Sequence, residues 1–275
     1  MRALAGSNWG QDKETLLLTF KSLIKSLYTY AAPVWFPNAQ STAINRLQAL
    51  QNSALRIATG CVRMTSVGHL HAEAAVLPVR DHLSLLCSQF LARCLVPSHP
   101  SHSVVTAPSG PRQKKQTLQS AFLPTLTPYL SGGTLPPGTY KETLKTLHTA
   151  AVACAIGSRP ANRVLQIPDP PVSVEERGLP RVYRTTLAQL RSGFSPALNS
   201  YLERVGRSNE DLCPSCRAAP HTTNDLFTCQ AHPTSLTVRD LWDRPCAVAE
   251  LLPSLGLPIT LPPLARPPPG TPSPQ

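Results

Sequence analysis

Charge is scarce in this 275-residue chain: Asp, Glu, Lys and Arg make up 15% of it, and Phe, Trp and Tyr only 5%. Soluble domains ordinarily carry about 25% charged residues. No apolar run approaches the ~18 residues of a membrane helix, so no membrane partner is expected. The opening MRALAGSNWGQDKETLL is interrupted by acids and Gln, which excludes the apolar core of a secretory signal. There is no glycine-rich phosphate loop, no HExxH and no GxSxG. The seven Asp stand at 12, 81, 169, 211, 225, 240 and 243, none adjacent to another. A two-metal polymerase or nuclease needs several carboxylates converging on its ions. Asp240 and Asp243 share a helix face at i, i+3, a spacing typical of a solvated surface. No catalytic residue is therefore assigned, and a self-sufficient enzyme is not expected.

Proline and basic residues stand above the norm. Thirty prolines are about 11% of the chain, roughly twice ordinary usage, which favours helical blocks joined by proline-rich connectors. Lys and Arg outnumber Asp and Glu by 26 to 15, a net charge of +11. Such an excess suits polyanionic partners, nucleic acid first. Of eight cysteines only Cys213 and Cys216 are closely spaced. That fits a reducing, intracellular compartment (nucleus or cytoplasm) and a single metal site better than a disulfide framework.

The expected fold class is mostly α: a helical thumb-like bundle, proline-rich linkers and a small C-terminal Cys/His zinc-knuckle-like module. Residues 13–31 place Leu16, Phe20, Leu23, Ile24, Leu27 and Tyr28 on one stripe, with Pro33 as the stop. A second helix follows Ser41 with Ile44, Leu47, Gln51, Ala54, Leu55 and Ala58 inward, and Gly60 ends it. Helices over 67–76 and 78–95 follow, the latter burying Leu83, Leu86, Phe90 and Leu91. Four segments are expected: a helical block over 1–96, a basic proline-rich linker with one helix over 97–179, an arginine helix plus knuckle module over 180–252, and a disordered proline-rich tail over 253–275. In the linker stretch from Ser98 to Arg163, seven basic residues face one acid, Glu142. Cys61, Cys87, Cys94 and Cys154 read as small buried side chains among apolar neighbours.

Two constellations carry the functional expectation. In LPRVYRTTLAQLRSG, Arg181, Arg184 and Arg191 share one helix face beside the apolar Tyr183, Leu187 and Leu190. Arginines so presented can grip successive phosphates; the plainer alternative is a solvated basic face. Downstream, CPSCRAAPHTTNDLFTCQAHP opens with a C-x2-C knuckle whose tight turn lets two thiolates share one zinc ion. Cys229 offers a third ligand and His221 a fourth, with His232 in reserve. The alternative is reduced cysteines without metal.

Several phrases resemble the region after the polymerase palm in reverse transcriptases of LINE-like (non-LTR) retrotransposons. They are ALAGSNWGQDKETLLLTFKSLI, SLYTYAAPVWFP, INRLQALQNSALRIATG, HLHAEAAVLPVRDHLSLLCSQFLAR, LPRVYRTTLAQLRSG, NSYLERVG and the CPSC…HTTNDLFTC cluster. Together they span about residues 3–250. The resemblance implies thumb-like helices, a linker and a terminal knuckle that hold template RNA and target DNA. The family's endonuclease and Phe/Tyr-Ala-Asp-Asp polymerase motif have no counterpart here. Two positions depart from the family pattern. A histidine that commonly gives C-x2-C-x8-H-x3-C is Asp225, making it a ligand candidate beside His221, and a histidine after RSG is Phe194. Such changes are what drift in a non-functional copy produces. The function expected is nucleic-acid binding through the three arginines and the knuckle. Alternatives are a truncated gene model of an active RNA-directed DNA polymerase, and an inert or repurposed interaction fragment.

Overall fold

The computed structural model describes residues 1–6, 10–107, 115–136, 138–255 and 257. Among them the chain is mostly helical, and backbone pairing of the β kind is limited to isolated bridges such as Leu212 with Pro220. The α-helical segments, in order, are α1 (Lys13–Thr19), α2 (Ser26–Thr29), α3 (Ala32–Trp35), α4 (Ser41–Thr59), α5 (Val67–Ala74), α6 (Val79–Cys94), α7 (His102–Thr106), α8 (Leu118–Leu126), α9 (Tyr140–Gly157), α10 (Arg181–Arg191), α11 (Asn199–Arg204), α12 (Asp225–Thr228), α13 (Asp240–Asp243) and α14 (Pro245–Leu251). A π-helical turn, Phe20–Lys25, joins α1 to α2.

The chain divides into two compact units, neither of them continuous in sequence. A middle unit comprises Leu17–Leu55 and Ala74–Pro160; a terminal unit comprises Met1–Leu16, Arg56–Glu73 and Ala161–Gln275. The four expected segments do not coincide with these units. In particular, the stretch expected as a linker over 97–179 supplies α8 and α9, which pack on α6 as core helices. Leu126, Leu135 and Leu147 close there on Leu85, Leu91, Ala92 and Leu95. Its prolines fall between these helices or, as Pro124, inside α8, and the buried leucines decide the outcome.

In the middle unit a second cluster joins Ala32, Phe36 and Ile44 to Val79, Leu83 and Cys87 on α6. The start of α6 is capped from a distance: Gln48 Oε1 accepts the Val79 N–H at 2.8 Å. The buried Gln51 donates to the Leu77 carbonyl at 2.9 Å and accepts the Tyr28 hydroxyl proton at 2.6 Å. The inward face of α4 is as its spacing predicts, and Gly60 ends that helix with φ +77°. Phe90 and Cys154, expected inside, are exposed.

The 13–29 helical stretch corrects the wheel. Leu16, Leu17 and Phe20 are buried, whereas Leu23 and Leu27 point to solvent. The π turn carries one extra residue per turn, about 100° of an α-helical wheel, and rotates the downstream side chains off the expected stripe. The helix ends at Tyr30 and left-handed Ala31 (φ 49°), not at Pro33, which sits within the first turn of α3. A proline there loses no helical hydrogen bond.

In the terminal unit α10 is the hub. Every residue from Val182 to Arg191 is buried. Val182, Tyr183, Leu187 and Leu190 pack with Leu226, Phe227, Leu241, Trp242, Val248 and Leu252. Gly206, with φ +69°, follows the end of α11, and Pro245 opens α14 at its first position. Of the tail expected over 253–275, Leu255 is instead buried in this core, in the turn Leu252–Leu255. The remainder from 258 lies outside the described residues.

Candidate metal centre

The knuckle forms at the tip of a small hairpin. Leu212 bridges Pro220, Cys213 N–H donates to the Ala219 carbonyl at 2.9 Å, and Arg217 N–H donates to the Cys213 carbonyl at 3.0 Å. Arg217 takes a left-handed φ of 53°, which turns the chain back immediately after Cys216. The other two donors come from one helical turn. Asp225 begins α12, and Cys229, just beyond it, donates its N–H to the Asp225 carbonyl at 2.8 Å. Leu226 and Phe227 sink into the core beside α10, and Thr223 Oγ1 donates to the Leu190 carbonyl at 3.0 Å. That leaves Asp225 and Cys229 facing the knuckle.

The donor atoms of Cys213, Cys216, Asp225 and Cys229 all lie within 4.8 Å of one another, an arrangement that could hold a metal ion. The Cys213 and Cys229 sulfurs are 3.8 Å apart. Asp225 Oδ2 is buried with no hydrogen-bond partner among the described residues. A buried, unpaired carboxylate oxygen is costly, and a cation would remove that cost. Burial pushes the Cys213 thiol up to about 12. Cys216 is lowered, chiefly because the Ala218 N–H donates to its sulfur. The set has four donors around one point, the closed coordination of a structural site.

His221 does not join the group. Its buried Nδ1 accepts the Asn199 N–H at 3.2 Å, and its own N–H donates to the Asp211 carbonyl at 2.6 Å, so it locks α11 to the hairpin. Burial lowers its pKa. His232 contacts Ser215 at 3.0 Å at the surface. Asp225, where the resemblance leads one to expect histidine, is thus the fourth donor by position. Phe194, the other departure, carries Arg163 and Arg204 over its ring, 5.0 and 5.7 Å from the centroid.

The arginine helix presents no free basic face, a correction to its expected role on phosphates. Arg191 is fully buried: Nε and Nη2 donate to the two Glu73 oxygens at 2.9 and 2.8 Å, and Nη1 to Glu176 at 2.6 Å and the Leu241 carbonyl at 2.9 Å. Arg184 pairs with Glu14 at 2.5 Å. Arg181 donates to the carbonyls of Ile57, Ala58 and Gly6, capping the end of α4. Lys13 completes the network on Glu73 at 2.7 Å. Burial would raise the Glu73 pKa, but Arg191 and Lys13 outweigh it and hold the carboxyl well below the usual range. The same pair of acids holds Arg191 protonated against its own burial.

Sequence reasoning missed these acids. One signal was available: Glu73 is the only Asp or Glu between Thr15 and Arg80. A second buried pair, His69 Nδ1 with Asp169 at 2.6 Å, was likewise unforeseen. No family model, no curated protein and no solved structure matches the chain. No described helix is long and apolar enough to cross a membrane.

Proposed function

We propose that the chain is a nucleic-acid-binding protein of LINE-like reverse-transcriptase descent, corresponding to the region after the palm. Zinc staples its terminal unit, and no residue has a catalytic role. The observation that carries the binding assignment is the segregation of charge. The middle unit holds eleven Lys and Arg against two acids, whereas the terminal unit holds fifteen against thirteen. Lys21, Arg46, Arg80, Arg93, Lys141 and Lys145 are exposed on the middle unit, so phosphate contact falls there and not on the arginine helix. RNA and DNA are the expected partners, because a sequence-independent basic surface reads backbone charge.

Zinc is supported by the donor set. Three thiolates and a carboxylate suit a borderline-soft ion, and tetrahedral Zn–S bonds of about 2.3 Å put two sulfurs about 3.8 Å apart. The Cys213–Cys229 separation of 3.8 Å agrees. Bound there, the ion would hold the thiolates deprotonated and join hairpin to α12.

The test is binding of single-stranded RNA and duplex DNA by the purified chain over a salt series, with zinc measured on the same sample. The expected result is log affinity falling linearly with log salt and about one zinc per chain. Absent or salt-independent binding would overturn the nucleic-acid reading. A zinc-free chain with all three thiols free would overturn the staple.

A further inference from the structure

Five large apolar side chains stand exposed within a short segment of the middle unit: Leu18 at 65%, Leu23 at 65%, Leu27 at 78%, Tyr30 at 81% and Val34 at 79%. Single exposed leucines are ordinary, but a contiguous apolar strip marks a contact surface. The strip does not arise from a helix that has come undocked. Phe20 on the opposite side is fully buried, and Tyr28 is fastened to Gln51. Its cause is the π turn. Leu18 and Leu23 stand at i, i+5 across the start of Phe20–Lys25, and Leu23 and Leu27 at i, i+4. An uninterrupted α-helix would set Leu18 about 140° or more from Leu23 and Leu27; the wider turn brings it round towards their side. Tyr30 and Val34 extend the strip past the left-handed Ala31, where Trp35 Nε1 donates to the Tyr30 carbonyl at 3.1 Å and fixes the bend.

The charged side chains of the segment that carries the strip have one sign. Lys21 is exposed and Lys25 half-buried beside it, and residues 15–72 contain no acid at all. We propose that this strip is the docking surface for an acidic amphipathic helix of a partner protein, its apolar residues on Leu18, Leu23, Leu27, Tyr30 and Val34 and its carboxylates on the lysine border. Helix-in-groove recognition reads apolar anchors at such spacings, and opposite charge on the rim sets partner choice. A second copy of the chain would bring Lys21 and Lys25 against their own equivalents, like charge on like. An anionic membrane gains only about 1 kcal/mol per basic residue near its surface. Two lysines and a bent strip give it little purchase.

The experiment uses the full chain and a labelled designed peptide helix with leucines at i, i+4 and i+7 and glutamates flanking them, read by fluorescence anisotropy. A lysine-flanked version, vesicles of phosphatidylserine and phosphatidylcholine, and sedimentation of the chain alone complete the set. The expected result is saturable binding of the glutamate peptide, weakened at least about tenfold by the triple substitution Leu23→Ser, Leu27→Ser, Tyr30→Ser and by exchange for the lysine peptide. The triple variant should melt as the parent does, since these side chains face solvent. Should it not fold, Lys21→Glu tests the same surface and should weaken the glutamate peptide several-fold. No peptide binding, or equal binding by the variants, overturns the proposal. Strip-dependent vesicle binding without peptide binding makes it a lipid surface, and strip-dependent self-association makes it a homotypic interface.

Discussion

The two units handle charge in opposite ways. In the terminal unit basic and acidic residues nearly balance: Arg191 and Lys13 meet the buried Glu73 and Glu176, and the buried Arg184 meets Glu14 at the surface. In the middle unit the cations have almost no acids to meet: Asp81, half-buried and raised by burial, and Glu142. Arginine on a helix therefore carries no fixed meaning. Its role is settled by whether the fold brings acids to it, and the unit with the more conspicuous arginine motif is the one less equipped to hold a polyanion.

The sharpest way to break this contrast is Arg191→Ala. Removing the central cation of a buried charge cluster leaves Glu73 with Lys13 alone and takes from Glu176 its shortest partner, at a cost of about 3–5 kcal/mol, read as a fall in the urea midpoint. A variant of full stability that lost only salt-dependent nucleic-acid binding would return α10 to the phosphate-contact role.

Acid titration probes the same network. Glu73 has a folded pKa below its ordinary 4.5, so its contribution is complete above that value and fades as pH falls below it. The urea midpoint should drop between pH 6 and pH 3 by a larger margin in the parent than in Glu73→Gln. The middle unit has its own titration at high pH, with the same sign. Lys25 is lowered to about 8 by burial, with Lys21 adding repulsion. The unfolded chain holds that proton more tightly, so stability should rise from about pH 8 towards 10.5 and stay flat there in Lys25→Met.

A smaller effect is expected at Gly60. A Cβ there would lie 2.4 Å from Thr185 Cγ2, on a backbone with φ +77°, so Gly60→Ala should cost about 1–3 kcal/mol by thermal or urea unfolding. At the metal centre, Asp225→Asn should weaken metal binding about tenfold, close to 1.4 kcal/mol. Competition with a chromophoric chelator measures it, and Asp225→His should restore or exceed the parent. The mildest change is Lys141→Gln with Lys145→Gln. It should reduce the slope of log affinity against log salt by up to about 1.8 on duplex DNA, with stability unchanged.

Much of this fold was legible where the signal is local. Gly60 stops a helix because the next conformation is left-handed, and C-x2-C makes a knuckle because the turn is built into the spacing. What escaped depends on distant residues. Glu73 meets Arg191 across 118 positions, and no helical wheel reveals whether a basic face looks at water or at an acid. The π turn shifts Leu23 and Leu27 outward without a sequence mark. At the metal centre, His221 had the better chemistry for zinc and Asp225 the better position, and only the course of α12 decides between them.

The interleaving of the units has a consequence for synthesis. The middle unit is complete once residue 160 has emerged from the ribosome, while residues 1–16 and 56–73 still await α10. At about 5–20 residues per second, Glu73 spends seconds on the ribosome before Arg191 exists to neutralise it. During that interval the N-terminal segments of the terminal unit are without a core. A ribosome stalled after residue 160 has left its exit tunnel, but before Arg191 has, would display a finished basic unit while the terminal unit is still unfolded.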